Sequence, residues 1–387
     1  LVQASVETKK SEKEEKSPQG TTKHQEDAFE DFRRKLKVPI NDENIDKIKE
    51  TIMTTYEDVF AKDGTLDEMA GEPMRIELKP DAKPFAIYSS RSIALAYRKK
   101  VKAELDDMVR KGIIEKVGDR PTEWAHPMVV SPKPDGSVRI TCDLTNLNSQ
   151  VKRVVHTSRT AADIMADRSP KAKYWSTVDA KSGYWQVPLH EDSRDLTVFL
   201  TPYGKYRYLR SPQGFICSGD GYNIRGDEAI EGVENVAKIV DDILIEGETL
   251  EENLRGVINV MERCRKFKIT LNKKKFHFGQ TRVKFAGYIV SRTGTEADPD
   301  KIKAISEFPR PENITQLRSF MGICNQLGQF SSELSAAVVP LRELLKTKNT
   351  FLWTADHDNA FEKVKQVLSK SPILVVYDPK RPTRLET

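Results

Sequence analysis

The 387-residue sequence predicts an α/β (α+β) fold, a mixed sheet with helices packed on one face. Three observations predict it. Short runs rich in Val, Ile and aromatic residues, at 173–179, 236–240 and 243–245, have the composition and length of strands. Apolar residues recur at helical spacing in other stretches, with charge on the opposite side. The chain is also long enough for two or three domains with real cores.

Taken in order, residues 1–25 are Lys, Glu, Ser, Thr and Gln with almost no apolar content, and disorder is expected there. Residues 26–71 carry helical patterns, notably from Asn44 to Met53. A strand is expected over 72–83 and a helix over 96–111, whose Asp106-Asp107 pair reads as a solvated face. Pro134-Asp135-Gly136 reads as a hairpin turn. The run from Lys173 to Val178 delivers Asp179 to a strand end, and a Gly-containing turn then presents Tyr184. The runs around Asp241-Asp242 make a hairpin with a negatively charged tip. Arg265 to Lys284 holds eight basic residues and no acid, a stripe suited to a phosphate backbone. Pro309 and Pro311 stop one element, and helices follow over 314–330, 336–346 and 356–369.

The acidic pair carries the chemistry. Adjacent carboxylates beside a core repel each other and lose hydration, so a compensating cation is expected. A hard divalent ion suits an all-oxygen donor set. With Asp179 as a third carboxylate the cluster would form a cage for two ions, which in such sites sit about 3.5–4 Å apart. Other classes are disfavoured. The cysteines Cys142, Cys217, Cys264 and Cys324 are scattered without zinc-ligand spacing, which fits reduced thiols. No run has the length of a membrane span, so no membrane partner is expected. The net charge of +5 alone predicts no nucleic-acid partner. The first residue is Leu1, and the chain reads as a piece of a longer polyprotein.

At these residues the chain resembles the reverse transcriptase of gypsy-type LTR retrotransposons (Metaviridae-like) and, more distantly, of retroviruses. The matching segments run in the family's order over roughly 72–387: 124–130, 133–140, 142–148, 178–189, 211–215, 240–242, 271–276 and 285–288. Eight motifs in order, each in its own context, are specific where any one is weak. The resemblance implies a right-hand polymerase fold whose palm is an antiparallel sheet backed by helices. It implies a helical linker upstream of the polymerase at 26–71, interleaved fingers and palm at 72–292, and a thumb at 293–370. It also implies the start of a truncated RNase H or connection region at 371–387, with a strand from Ile373 to Tyr377, and RNase H activity is not expected.

The resemblance further implies residue roles. Asp179 and Asp241 look like the principal ligands of two Mg2+ ions, with Mn2+ an alternative and Asp242 supporting. Tyr184 looks like the steric gate that rejects a 2′-hydroxyl, although by residue type it reads as a packed strand aromatic. Lys133 and Arg139 look like triphosphate-gripping residues, Gln213 like a contact to the incoming nucleotide, and Lys275 like a general acid for pyrophosphate. Phe285, Ala286, Gly287 and Tyr288 resemble the primer grip. The activity implied is RNA- and DNA-templated DNA polymerisation, with RNA template, DNA primer, RNA–DNA duplex and deoxynucleotide triphosphates as partners. A dimer with another Pol product, an intracellular, cytoplasmic location and virus-like particles are also implied. Three places depart from the family: Ile239 where Tyr is usual, Thr145 where Arg is frequent, and the stretch 216–223. The rival reading is a non-catalytic, nucleic-acid-binding reverse transcriptase subunit.

Overall fold

The computed structural model describes residues 18–62, 65–327, 332–346, 351–369 and 373–374. Its strands, in chain order, begin with the fingers: β1 (Ile114–Lys116), β2 (His126–Pro132) and β3 (Val138–Cys142). Then come β4 (Tyr174–Asp179), β5 (Phe199–Thr201) and β6 (Gly204–Tyr208). The acidic hairpin is β7 (Val236–Ile239) and β8 (Asp242–Gly247), followed by β9 (His277–Gln280). The last are β10 (Arg282–Phe285), β11 (Tyr288–Ser291), β12 (Gly294–Ala297) and β13 (Ile373–Leu374).

They form three sheets. The fingers sheet has order β1-β6-β5-β2-β3 and is antiparallel except where β2 meets β5. The palm sheet has order β7-β8-β4-β9 and is antiparallel throughout. The third sheet, β10-β11-β12-β13, is a meander joined by a strand from far along the chain.

The helix Leu250–Phe267 backs the palm. Leu250, Leu254, Val257, Ile258, Met261 and Cys264 recur at helical spacing and are all buried. Thr249 caps its start by accepting from the Glu252 amide, acids occupy its first turn and Arg265 and Lys266 its last, as the helix dipole favours. Gly256 lets it lie against β8: a Cβ there would stand 2.7 Å from the Ile245 side chain.

Each lobe has its own core. The palm core includes Val178, Val257 and Phe278, the fingers core Val101, Ile140 and Phe199, and the third includes Trp175, Leu317 and Phe361. Residues 26–71, expected as a linker, contribute Phe29, Phe32, Ile48 and Ile52 to the palm core. A helix spans Pro18–Lys35 and so begins within the stretch 1–25 expected to be disordered, while residues 1–17 lie outside the described residues.

Several elements differ from expectation. The strand expected over 72–83 is extended backbone with single bridges, Met74 to Leu189 and Leu78 to Val151. Pro73 and Pro80 remove ladder donors at its ends. The third sheet runs across residue 292 to β12, and the helices after it start with Pro299–Ser306. The helix expected over 336–346 is two short ones, Ser332–Ala337 and Val339–Glu343. Those at Ile314–Leu327 and Ala355–Ser369 lie close to where they were read. Of the expected strand from Ile373 to Tyr377, Ile373 and Leu374 are strand and the rest lies outside the described residues. The basic stripe is interrupted: Arg265 pairs with Asp58 and Glu262, Lys275 with Asp179, Arg282 with Glu296, and Lys284 with Asp298 and Asp300. Among the described residues no helix is long and apolar enough to cross a membrane.

Candidate active site

Strand register brings the acids together. In the β4–β8 pair Asp179 lies directly opposite Asp242, and in the β7–β8 hairpin Ile239 lies opposite Asp242. The hairpin loop is therefore two residues, Val240 and Asp241, with Val240 at φ +49°. Positive φ at the first loop position matches strand twist but is unfavourable for a β-branched residue. The Ala180 amide donates to the Asp241 carbonyl at 2.8 Å, and the Asn272 amide donates to the Asp179 carbonyl at 2.8 Å. The three carboxylates thus sit on backbone that is bonded across the sheet.

Their side chains have uneven partners. Lys275 Nζ donates to Asp179 Oδ2 at 2.8 Å, and Asn272 Nδ2 donates to Asp179 Oδ1 at 3.4 Å. Among the described residues Asp241 Oδ1 is buried with no hydrogen-bond partner, while Tyr222 bonds the carboxyl. Burial, then the charge of Asp179, pushes the Asp241 carboxyl up to about 6. Burial and the same neighbour raise Asp242. Its bond to Asp179 raises Lys275, which stays a cation.

Gly183 makes the close approach possible, because a Cβ there would collide with Asp241 Oδ1 and stand 2.8 Å from the Tyr222 ring. It opens the 3-10 turn Gly183–Gln186, entered through Ser182 at φ +55°. That turn presents Tyr184, whose ring meets Tyr222 edge-on at 5.9 Å. Fully buried Gln186 braces it, donating to the carbonyls of Lys181 and Thr270 and accepting from the Thr270 amide at 2.7 Å.

Among the described residues, no three acidic, His or Cys side chains already converge on one point as a metal-ligating group. The donor set still fits a hard divalent cation: oxygens only, one of them a buried orphan, and two carboxyls whose ionisation is resisted by their neighbours.

The remaining predicted residues lie elsewhere. Lys133 and Arg139 flank the β2–β3 turn, where the Lys133 amide donates to the Ser137 carbonyl at 2.8 Å and Lys100 Nζ donates to the Gly136 carbonyl at 2.6 Å. Gln213 is half-buried on the loop before the helix Ser218–Ile230, beside Gly214 at φ +92°. Neither an ion pair nor a hydrogen bond links these three to the carboxylates among the described residues. Phe285 and Tyr288 face each other across a two-residue turn and are buried in the third core. Ala286 and Gly287, at φ +48° and +81°, form its half-buried tip. Gly183, Gln186, Tyr222 and Asn272 are site residues that motif reading assigned no role. The glycine beside an aromatic after a strand-terminal Asp was the available signal for Gly183.

A family model described as "Reverse transcriptase (RNA-dependent DNA polymerase)" matches residues 131–290, the stretch that holds all three carboxylates. Residues 131–290 match a reverse transcriptase domain. A Retrovirus-related Pol polyprotein from transposon gypsy of Drosophila melanogaster is 30% identical over 56% of the chain and 22% of that protein. The Transposon Tf2-3 polyprotein of Schizosaccharomyces pombe is 28% identical over 73% of the chain and 21% of its own length. The chain thus spans about a fifth of these two relatives. Among solved structures, a foamy viral protease–reverse transcriptase in complex with an RNA/DNA hybrid superposes with a TM-score of 0.78 at 22% identity, covering 92% of this chain and 48% of that one. That likeness shows the polymerase fold.

Proposed function

We propose that this chain polymerises DNA on RNA or DNA templates, as the polymerase part of a retrotransposon Pol polyprotein. The observation that carries the reading is the facing of Asp179 and Asp242 with Asp241 at the hairpin tip. In this reading Asp179 and Asp241 hold magnesium and Asp242 supports them. Bound Mg2+ would acidify the primer 3′-hydroxyl and neutralise charge on the triphosphate. The relatives' family and the neighbour's RNA/DNA hybrid support nucleic-acid partners.

The chain's own residues do the rest. Tyr184, braced by Tyr222 and the Gln186 bonds, is a firm wall beneath the sugar of an incoming deoxynucleotide. Lys133 and Arg139 on the fingers hairpin grip its phosphates, Arg139 as a fork. Gln213 lies along the same approach. Lys275 releases Asp179 and turns its ammonium to the leaving pyrophosphate. The Ala286-Gly287 backbone is the part of the primer-grip turn available to a primer, because Phe285 and Tyr288 are spent on the core.

Primer extension on an RNA template with deoxynucleotides and magnesium tests this, with Asp241→Asn as the partner reaction. Extension by the wild type and none by the variant is expected. Duplex binding without extension by either would favour a non-catalytic binding subunit.

A further inference from the structure

Lys238 is a buried cation that the reaction just described does not use. It precedes Ile239 on β7, and its side chain is only 4% exposed. Its ammonium reaches three oxygens: Asp227 Oδ1 at 3.0 Å, Asn223 Oδ1 at 3.0 Å and the Val240 carbonyl at 3.4 Å. It also lies 5.6 Å from the centre of the Tyr222 ring. Gly226 makes room for its stem, since a Cβ there would stand 2.8 Å from Lys238 Cε. Asn223, Gly226 and Asp227 all belong to the helix Ser218–Ile230. The second oxygen of Asp227 is engaged by His156 Nε2 at 2.7 Å.

We infer that Lys238 is a positioning residue that clamps the Val240-Asp241 turn to the helix Ser218–Ile230. The turn needs such a clamp. Val240 is β-branched and at positive φ, a conformation that persists only when its surroundings hold it. Among the described residues Asp241 Oδ1 has no hydrogen-bond partner, and the carboxyl is otherwise held by Tyr222, so its place depends on where the turn backbone and the Tyr222 helix stand relative to each other. An ammonium out of water is retained only when well paired, and here two acceptors are on the helix and one is on the turn. The same helix presents Tyr222 to Asp241, so helix, cation and turn act as one unit.

The inference rests on the polymerase reading, and its test separates the two. Turnover per active site is measured on a primer–template by pre-steady-state burst, with deuterium uptake followed by mass spectrometry. Lys238→Met is expected to lower kcat about 30- to 100-fold, the scale of an ångström-sized misplacement. Deoxynucleotide KM should stay within about twofold, as for an interaction made only at the reacting centre. Uptake should rise in the segments covering β7, β8 and the facing helix Ser218–Ile230, and not elsewhere. Asp227→Asn, which keeps the shape, should give a smaller loss with the same split. Turnover within about twofold of wild type in Lys238→Met overturns the proposal, as does uptake rising across the whole chain at unchanged turnover per folded site. Should Lys238→Met not fold, unchanged turnover and unchanged uptake in Asp227→Asn overturn it. A wild type without extension would instead remove the polymerase reading, while the uptake arm still decides the clamp.

Discussion

Asp241 sits where its own charge is resisted. Its carboxyl is raised from 3.8 to about 6, by burial first and by Asp179 next. Between those values the folded state binds more protons than the unfolded one, so stability falls as pH climbs from about 4 to about 6 and stays reduced above. In metal-free buffer Asp241→Asn should therefore be more stable than the wild type above pH 6, by on the order of 2 kcal/mol. The gap should close near pH 4. Urea unfolding at pH 4, 5 and 7.5 checks this, and an equal gap at all three would count against it. Tyr184 offers a separate test. Tyr184→Ala should relax discrimination against ribonucleotides about 10- to 100-fold, read from single-nucleotide incorporation of paired substrates. Unchanged discrimination would remove the gate assignment. The residue types were legible in the sequence here, since Asp179, Asp241 and Tyr184 stand in recognisable motifs. Their ionisation and bracing were not, because Tyr222 and Gln186 reach them only through folding.

At the scale of elements, the close packing of two turns decides the site. The 3-10 turn Gly183–Gln186 lies against the β7–β8 hairpin with no room for a side chain at its first position. Gly183→Ala should push Asp241 and Tyr222 apart. Loss of about 100-fold in kcat is expected from the displacement of Asp241 alone. A stability cost of about 1–3 kcal/mol should accompany it. Steady-state kinetics beside thermal melting tests both, and full activity would show that the two turns can separate freely. The hairpin itself was readable, because apolar runs on both sides of a polar pair announce it. Its loop residues were not. One step of register decides whether Asp241 or Asp242 faces Asp179 across the sheet, and local composition does not encode that step. The strand expected over 72–83 failed for a related reason, since an extended run becomes a strand only when a neighbour pairs with it.

At the scale of the whole molecule, buried Arg168 joins the palm to the third sheet. Arg168, 2% exposed, donates to Glu246 Oε1 at 2.7 Å and to Thr295 Oγ1 at 3.1 Å. Trp175 Nε1 donates to the same Glu246 oxygen at 2.9 Å. Arg168→Met should cost about 3–5 kcal/mol, because it strands a buried carboxylate. Replacing Glu246 by Met as well should recover part of that loss, because the stranded charge goes but Trp175 Nε1 is left without its acceptor. Denaturant midpoints of the single and double variants decide it, and a double variant no better than the single would show that packing rather than charge holds the joint.

The sequence by itself determined the strands with their terminal acids, the acidic hairpin and the order of motifs. These depend on spacing of two or 3.6 residues and on turn chemistry, all local. Only the tertiary structure decided that Asp179 faces Asp242 and that Lys275 covers Asp179. It alone decided that distant acids neutralise half the basic stripe, and that Phe29 and Phe32 belong to the palm. Each of these joins residues far apart along the chain. Such contacts follow from strand register and from which apolar faces bury each other, and neither is written in any short window of sequence.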